Sequence, residues 1–176
     1  ILMTIVLGGV MGVTSIVGLG ASVLVLVLYV IPQIVAGTNP LVVCLIGSIL
    51  IACTSLYLAH GFHRRTSVAL LSTIVTLLIA AGIAVLYVYA AKLFGMGSEE
   101  SVYLQSGLLA GIDLRGLLLG GILIGCLGVL DDVTTAQSAA IDEISKANPS
   151  LTAQQLQVAG FSVGKEHIAS LINRSE

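Results

Sequence analysis

The chain has 176 residues, of which 57% are hydrophobic and 9% charged, and its mean hydropathy is +1.09. Soluble domains carry about 25% charged residues, and here no Asp, Glu, Lys or Arg precedes Arg64. A 63-residue uncharged stretch has nothing in the chain large enough to cover it, so a soluble enzyme, a nucleic-acid binder and a disordered tail are all excluded. A net charge of −2 with a pI near 5.9 gives no sign of a polyanion partner.

In chain order, residues 1–8 read as the tail of an incomplete helix, with Gly8, Gly9 and Gly12 marking a break. The first whole span covers about 13–35, since a crossing helix needs about 20 apolar residues. Pro32 and the run Ala36-Gly-Thr-Asn-Pro40 read as the turn that follows, because the residue before a proline disfavours helix and Asn and Gly supply turn conformations. A second span covers 40–59, with Pro40 in the first turn, where a missing N–H costs nothing. His60-Gly-Phe-His-Arg-Arg-Thr66 reads as a compact basic loop, and Arg64 and Arg65 assign it to the cytoplasmic side by the positive-inside rule. A third span runs over 67–91, with Tyr87 and Tyr89 as interface anchors, and Lys92–Ser101 forms an external loop.

The chain re-enters over 102–130. That stretch is about 43 Å as a helix, longer than the ~30 Å hydrocarbon core, so a break is expected near 111–113, with Asp113 as the N-cap of a helix from Leu114. Asp113 and Arg115 belong either at the outer interface or facing a polar interior, because a charge at the bilayer centre costs about 2.5–3.5 kcal/mol. Gly116, Gly120, Gly121, Gly125 and Gly128 recur at helical spacings. They read as a close helix-packing face within the bundle or with a second copy, or as room along a pathway.

Residues 131–176 read as a cytoplasmic helical tail: a cytoplasmic helix or helical extension over 131–147, a turn at Ala147-Asn-Pro-Ser150 and an amphipathic helix over 151–172. Thr152 and Gln155 have capping-box spacing, Asn148 is a second capping candidate and Pro149 suits a first-turn position. Leu156, Val163, Ile168 and Leu171 form that helix's apolar stripe. Spans 1–130 and tail together make an all-α polytopic transmembrane bundle.

Asp131 and Asp132, with Thr134 and Thr135, are the strongest candidate site. Carboxylates and hydroxyls are hard oxygen donors suited to an ion or a transferable proton. On a helix Asp131, Thr135, Ser138 and Asp142 share one face. The plainer reading is that the Asp pair marks the membrane exit at the start of a cytoplasmic helix. Cys44, Cys53 and Cys126 lie in apolar runs without metal spacing, and His60, His63 and His167 have no mutual spacing for a metal, so neither metal nor cofactor is expected. H-E-x-x-H and glycine-rich phosphate loops are lacking, and adjacent aspartates diverge by about 100° on a helix, so no enzyme activity is expected.

At Asp113-Leu-Arg-Gly116, Gly128-Val-Leu-Asp-Asp-Val-Thr-Thr-Ala-Gln137, Ala147-Asn-Pro-Ser150 and His167-Ile-Ala-Ser170, and more loosely at His60-Gly-Phe-His-Arg, the sequence resembles the YibE/F-like family of bacterial multi-pass membrane proteins. The resemblance covers nearly the whole chain and implies a bacterial plasma-membrane protein, often described as a permease of unknown substrate. Asp113, Arg115, Asp131, Asp132, Thr134 and Thr135 are then candidate pathway residues for a small solute or ion. The alternative is a non-transporting scaffold or regulatory subunit that associates, as a homo-oligomer or with a second membrane subunit, through the glycine-rich helix 107–128. The family usually extends further at both ends, so Ile1 and the Leu171–Glu176 segment read as the limits of a fragment or truncated copy.

Overall fold

A computed structural model describes residues 14, 16–95 and 111–173. Helix α1 spans Ile16–Val35, α2 Pro40–His60, α3 Arg64–Ala90, α4 Leu114–Ala147 and α5 Ala153–Asn173. The first four are long and apolar enough to cross a membrane, as the sequence leads one to expect. The expected segments 1–8 and 102–110 lie outside the described residues.

Pro32 does not end α1. The helix continues to Val35 because a π-helical turn over Leu26–Val30 precedes the proline, with Ile31 N–H bonded to the Leu26 carbonyl. Proline clashes with the carbonyl four residues before it and cannot bond to it; the wider π turn accommodates the mismatch. Asn39 caps α2, its Oδ1 accepting from the N–H groups of Leu41 at 3.0 Å and Val42 at 3.3 Å. The basic loop is shorter than expected. Helix α2 ends at His60, and Arg64 and Arg65 already belong to the first turn of α3.

Helix α4 is the spine. It packs on α3, α2 and α5, and its 34 residues run for about 51 Å. No helix boundary falls at 130: the apolar run ends there, but helix-forming residues carry the backbone on to Ala147. A Cβ on Gly116 would lie 3.2 Å from Pro40 Cδ, and one on Gly120 would lie 2.9 Å from Cys44 Cβ, so the start of α2 approaches the α4 backbone directly. Further along, Ser55 of α2 meets Asp131 of α4, so the two helices run parallel. Helix α3 runs against both.

The core is narrow: Leu56, Leu77 and Leu123 are fully buried, while outward residues such as Leu28 and Leu86 are 71% exposed. With no hydrophobic drive between helices in lipid, such an apolar exterior suits a bilayer. The five α4 glycines do not share one face. At about 100° per residue Gly120 and Gly121 diverge, and a Cβ on Gly121, Gly125 or Gly128 would meet nothing within 4 Å.

Beyond Ala147 the chain turns through Asn148–Thr152. Pro149 lies in this turn, ahead of the helix rather than in its first turn, and Asn148 Oδ1 accepts from Ser150 instead of capping α5. Thr152 and Gln155 form the reciprocal capping box: Thr152 N–H donates to Gln155 Oε1 at 3.0 Å and Gln155 N–H to Thr152 Oγ1 at 3.3 Å. Helix α5 then runs back along α4. Gly160 sits over Ile141 and Gly164 over Gln137, and the Gln137 amide donates to the Gly160 carbonyl. Its packing face is therefore centred on Leu156 and Gly160, while Val163 stays exposed. The side chains of Ile168 and Leu171 lie outside the described residues.

Gly120→Ala is expected to destabilise the bundle by about 1–3 kcal/mol through overpacking against Cys44, whereas Gly121→Ala is expected to be neutral or slightly stabilising. Thermal unfolding of the two variants in one detergent checks the difference; equal effects would contradict this placement of α2 on α4.

Candidate functional site

Where α2, α3 and α4 meet, their apolar contacts give way to a layer of hydroxyls and one carboxylate. Thr73 of α3 is fully buried, and its Oγ1 lies 2.7 Å from Thr134 Oγ1 of α4. Thr73 can donate to the Ala69 carbonyl at 3.0 Å and Thr134 to the Leu130 carbonyl at 2.7 Å. A hydroxyl has one hydrogen and two acceptor lone pairs. Three short contacts therefore share two hydrogens, and the Thr73–Thr134 bond forms only when one threonine releases its own helix carbonyl.

Asp131 lies one turn before Thr134. Its Oδ2 accepts from Ser55 Oγ of α2 at 3.3 Å, and its Oδ1 is buried with no hydrogen-bond partner among the described residues. Its position, about 25 Å along α4 from Leu114, falls within a ~30 Å hydrocarbon core measured from the start of that helix. Thr135 donates to the Asp131 carbonyl at 2.6 Å and so satisfies its own helix. Asp132 is exposed on another side of α4, the divergence expected of neighbours on a helix.

The four-residue face foreseen from Asp131 to Asp142 divides along its length. Asp142 forms an ion pair with Lys146 at 2.7 Å, and with Ser138 it lines a separate cleft nearer the end of the helix. Asp113 and Arg115 are at the opposite end of α4. Asp113 is exposed and caps the helix, accepting from Arg115 N–H at 3.1 Å. The Arg115 Nε donates to the Leu93 carbonyl at 3.0 Å, and its guanidinium stands over Tyr89 at 4.7 Å and Phe94 at 5.3 Å. Gly95 completes this closure: its φ of +77° suits glycine, and a Cβ there would clash with the Leu114 carbonyl. About 27 Å of helix separates Asp113 from Asp131, so the charged candidates fall at the start and the middle of α4 and not in one cluster.

Ser55 and Thr73 complete the Asp131 layer, and sequence reasoning passed over them. The available signal was a hydroxyl inside an otherwise apolar span, but Ser48, Thr54, Ser72 and Thr76 give the same signal, and Thr54 and Thr76 simply bond back to their own helices. The Thr73–Thr134 contact is expected to couple its two side chains by about 0.6 kcal/mol, and by less than 2 kcal/mol, as for other hydrogen bonds between membrane helices. A double-mutant cycle of Thr73→Val and Thr134→Val in bicelles measures this coupling; strictly additive effects would show that the hydroxyls are not bonded.

A family model described as YibE/F-like protein matches residues 1–174. No curated protein and no solved structure matches the chain. The match takes in the Asp131 layer, the glycine-rich helix and all four helices of spanning length: the chain belongs to the YibE/F-like family and is a multi-pass membrane protein.

Proposed function

We propose that the protein is a permease component in a bacterial plasma membrane, moving a small ion or solute past the Asp131 layer. The observation that carries this reading is a half-buried carboxylate bonded to a hydroxyl of α2, one turn from a hydroxyl contact between α3 and α4, within helices long and apolar enough to cross a membrane. Ionisable groups within membrane segments are costly to retain and tend to mark ion or proton pathways. Asp131 and Thr134 are the working residues of the reading, with Ser55 and Thr73 as their partners. Asp113, Arg115 and Thr135 are tied up in local structure, and Asp132 faces away. No enzymatic step is involved.

Proteoliposomes holding the purified chain and a pH-sensitive dye test it under imposed proton, sodium and potassium gradients. Dye response above that of empty vesicles is expected for at least one gradient, reduced about tenfold or more by Asp131→Asn and little changed by Asp132→Asn. Equal flux in wild type and Asp131→Asn would refute the role of Asp131.

A second reading draws on a different observation. Gly121, Gly125 and Gly128 form an open face on α4 with nothing against them among the described residues, a surface suited to close approach by another helix. On this reading the protein is a scaffold or regulatory subunit that associates with a second copy or another membrane protein. Cysteine crosslinking from position 125 in native membranes would recover a partner, and recovering none would count against it.

A further inference from the structure

The first turn of α3 carries more positive charge than its surroundings compensate. Arg64 and Arg65 occupy it, no acidic residue accompanies them, and His63 provides no side-chain cap. A helix N-terminus is itself the positive end of the backbone dipole, so two guanidiniums there are unfavourable unless an anion joins them. Among the described residues neither guanidinium takes part in a hydrogen bond or ion pair. Both line a cleft of about 450 Å³ between α3, α4 and α5, with Val68, Ile141 and Leu156 as its apolar walls and Ser138, Ser145 and Asp142 at its polar side. Asp142 is paired with Lys146 at 2.7 Å and also feels the charge of Arg65 without forming an ion pair with it, so one shared carboxylate faces three cations and the two guanidiniums keep an excess of positive charge in the cleft.

Position decides the class of ligand. Arg64 and Arg65 begin a helix of spanning length, at the depth of lipid headgroups, on the side that the positive-inside rule makes cytoplasmic. From the cleft an exposed apolar ridge runs up α3 through Val68, Leu71 and Val75, each at least 49% exposed. These residues stand three and four apart and so line one face. A polar cleft with two free guanidiniums, opening onto an apolar ridge that leads into the bilayer, matches an amphiphile with an anionic head. Guanidinium forks pair well with phosphate, and basic pockets between helices on the cytoplasmic side suit anionic lipid headgroups. We propose that this cleft is a specific site for an anionic phospholipid, with the phosphate held between Arg64 and Arg65 and an acyl chain laid along Val68, Leu71 and Val75. Neighbouring Ser138 and Ser145 hydroxyls can donate to headgroup oxygens. Because α5 forms one wall through Leu156, an occupied cleft also ties the returning helix to the start of α3.

Native mass spectrometry of the full chain tests the proposal, with the protein released from micelles holding equal mole fractions of dioleoyl phosphatidylglycerol and dioleoyl phosphatidylcholine. Retention of phosphatidylglycerol about tenfold or more above phosphatidylcholine is expected. The double substitution Arg64→Gln and Arg65→Gln should bring the two lipids to parity. Ser145→Trp, at an exposed position, narrows the cleft without removing charge and should lower phosphatidylglycerol retention by itself, which keeps the test decisive if the double variant folds poorly. Equal retention of both lipids by the wild-type chain, or an undiminished preference in both variants, overturns the proposal. Displacement of the lipid by millimolar inorganic phosphate or glycerol phosphate would assign the cleft to a soluble phosphate and overturn the lipid assignment.

Discussion

Apolar helices surrounded by lipid gain nothing from hiding apolar surface against one another, so close backbone contact and polar bonds must hold the bundle together. Helix α4 supplies both, at different heights. Near its start Gly116 and Gly120 let α2 settle against the backbone at Pro40 and Cys44. About 16 to 27 Å further along, Asp131 and Thr134 reach Ser55 and Thr73. One level is held by shape and the other by hydrogen bonds, and α4 meets α2 at both.

This division has a functional consequence. Shape-based contact between glycine and a neighbouring helix is rigid and dry. Hydroxyls that must choose between their own helix carbonyl and a neighbour have two arrangements of similar energy, and the Thr73–Thr134 pair is of this kind. On the proposed reading, the Asp131 layer is the part of the bundle where an ion, a proton or a small polar solute would be exchanged with least disturbance of the packing. At the Arg115 end of α4 the opposite holds. Arg115, clasped by the Leu93 carbonyl and two aromatic rings, is used up in closing the loop onto α4, and it has little freedom to serve a passing solute.

Much of the architecture was readable from local chemistry. Runs of apolar residues located the four spanning helices, and side chains that complete a helix start could be recognised one at a time: Asp113 before Leu114, Thr152 with Gln155. Local rules also misled where a neighbouring feature offset them. Pro32 is tolerated because a π turn precedes it. The helix over 131–147 was legible although the apolar run stops at Leu130, since hydropathy reports solvent preference and not backbone conformation. Partners across the bundle were out of reach. Helical phase shows that Thr134 and Asp131 share a side of α4, but not that Thr73 and Ser55 face them, because that depends on how three helices are rotated. The same limit hid the split among the glycines and the packing of Gly160 and Gly164 on α4.

The central claim is that one unbroken α4 crosses the membrane and carries the Asp131 layer just inside it. Single cysteines placed along α4 in a cysteine-free background, labelled from either side of sealed vesicles with a membrane-impermeant maleimide, test this directly. Position 113 is expected to label only from one side and position 145 only from the other, with positions 119 to 131 on the helix-facing side protected from both. Labelling of positions 113 and 145 from the same side would contradict it.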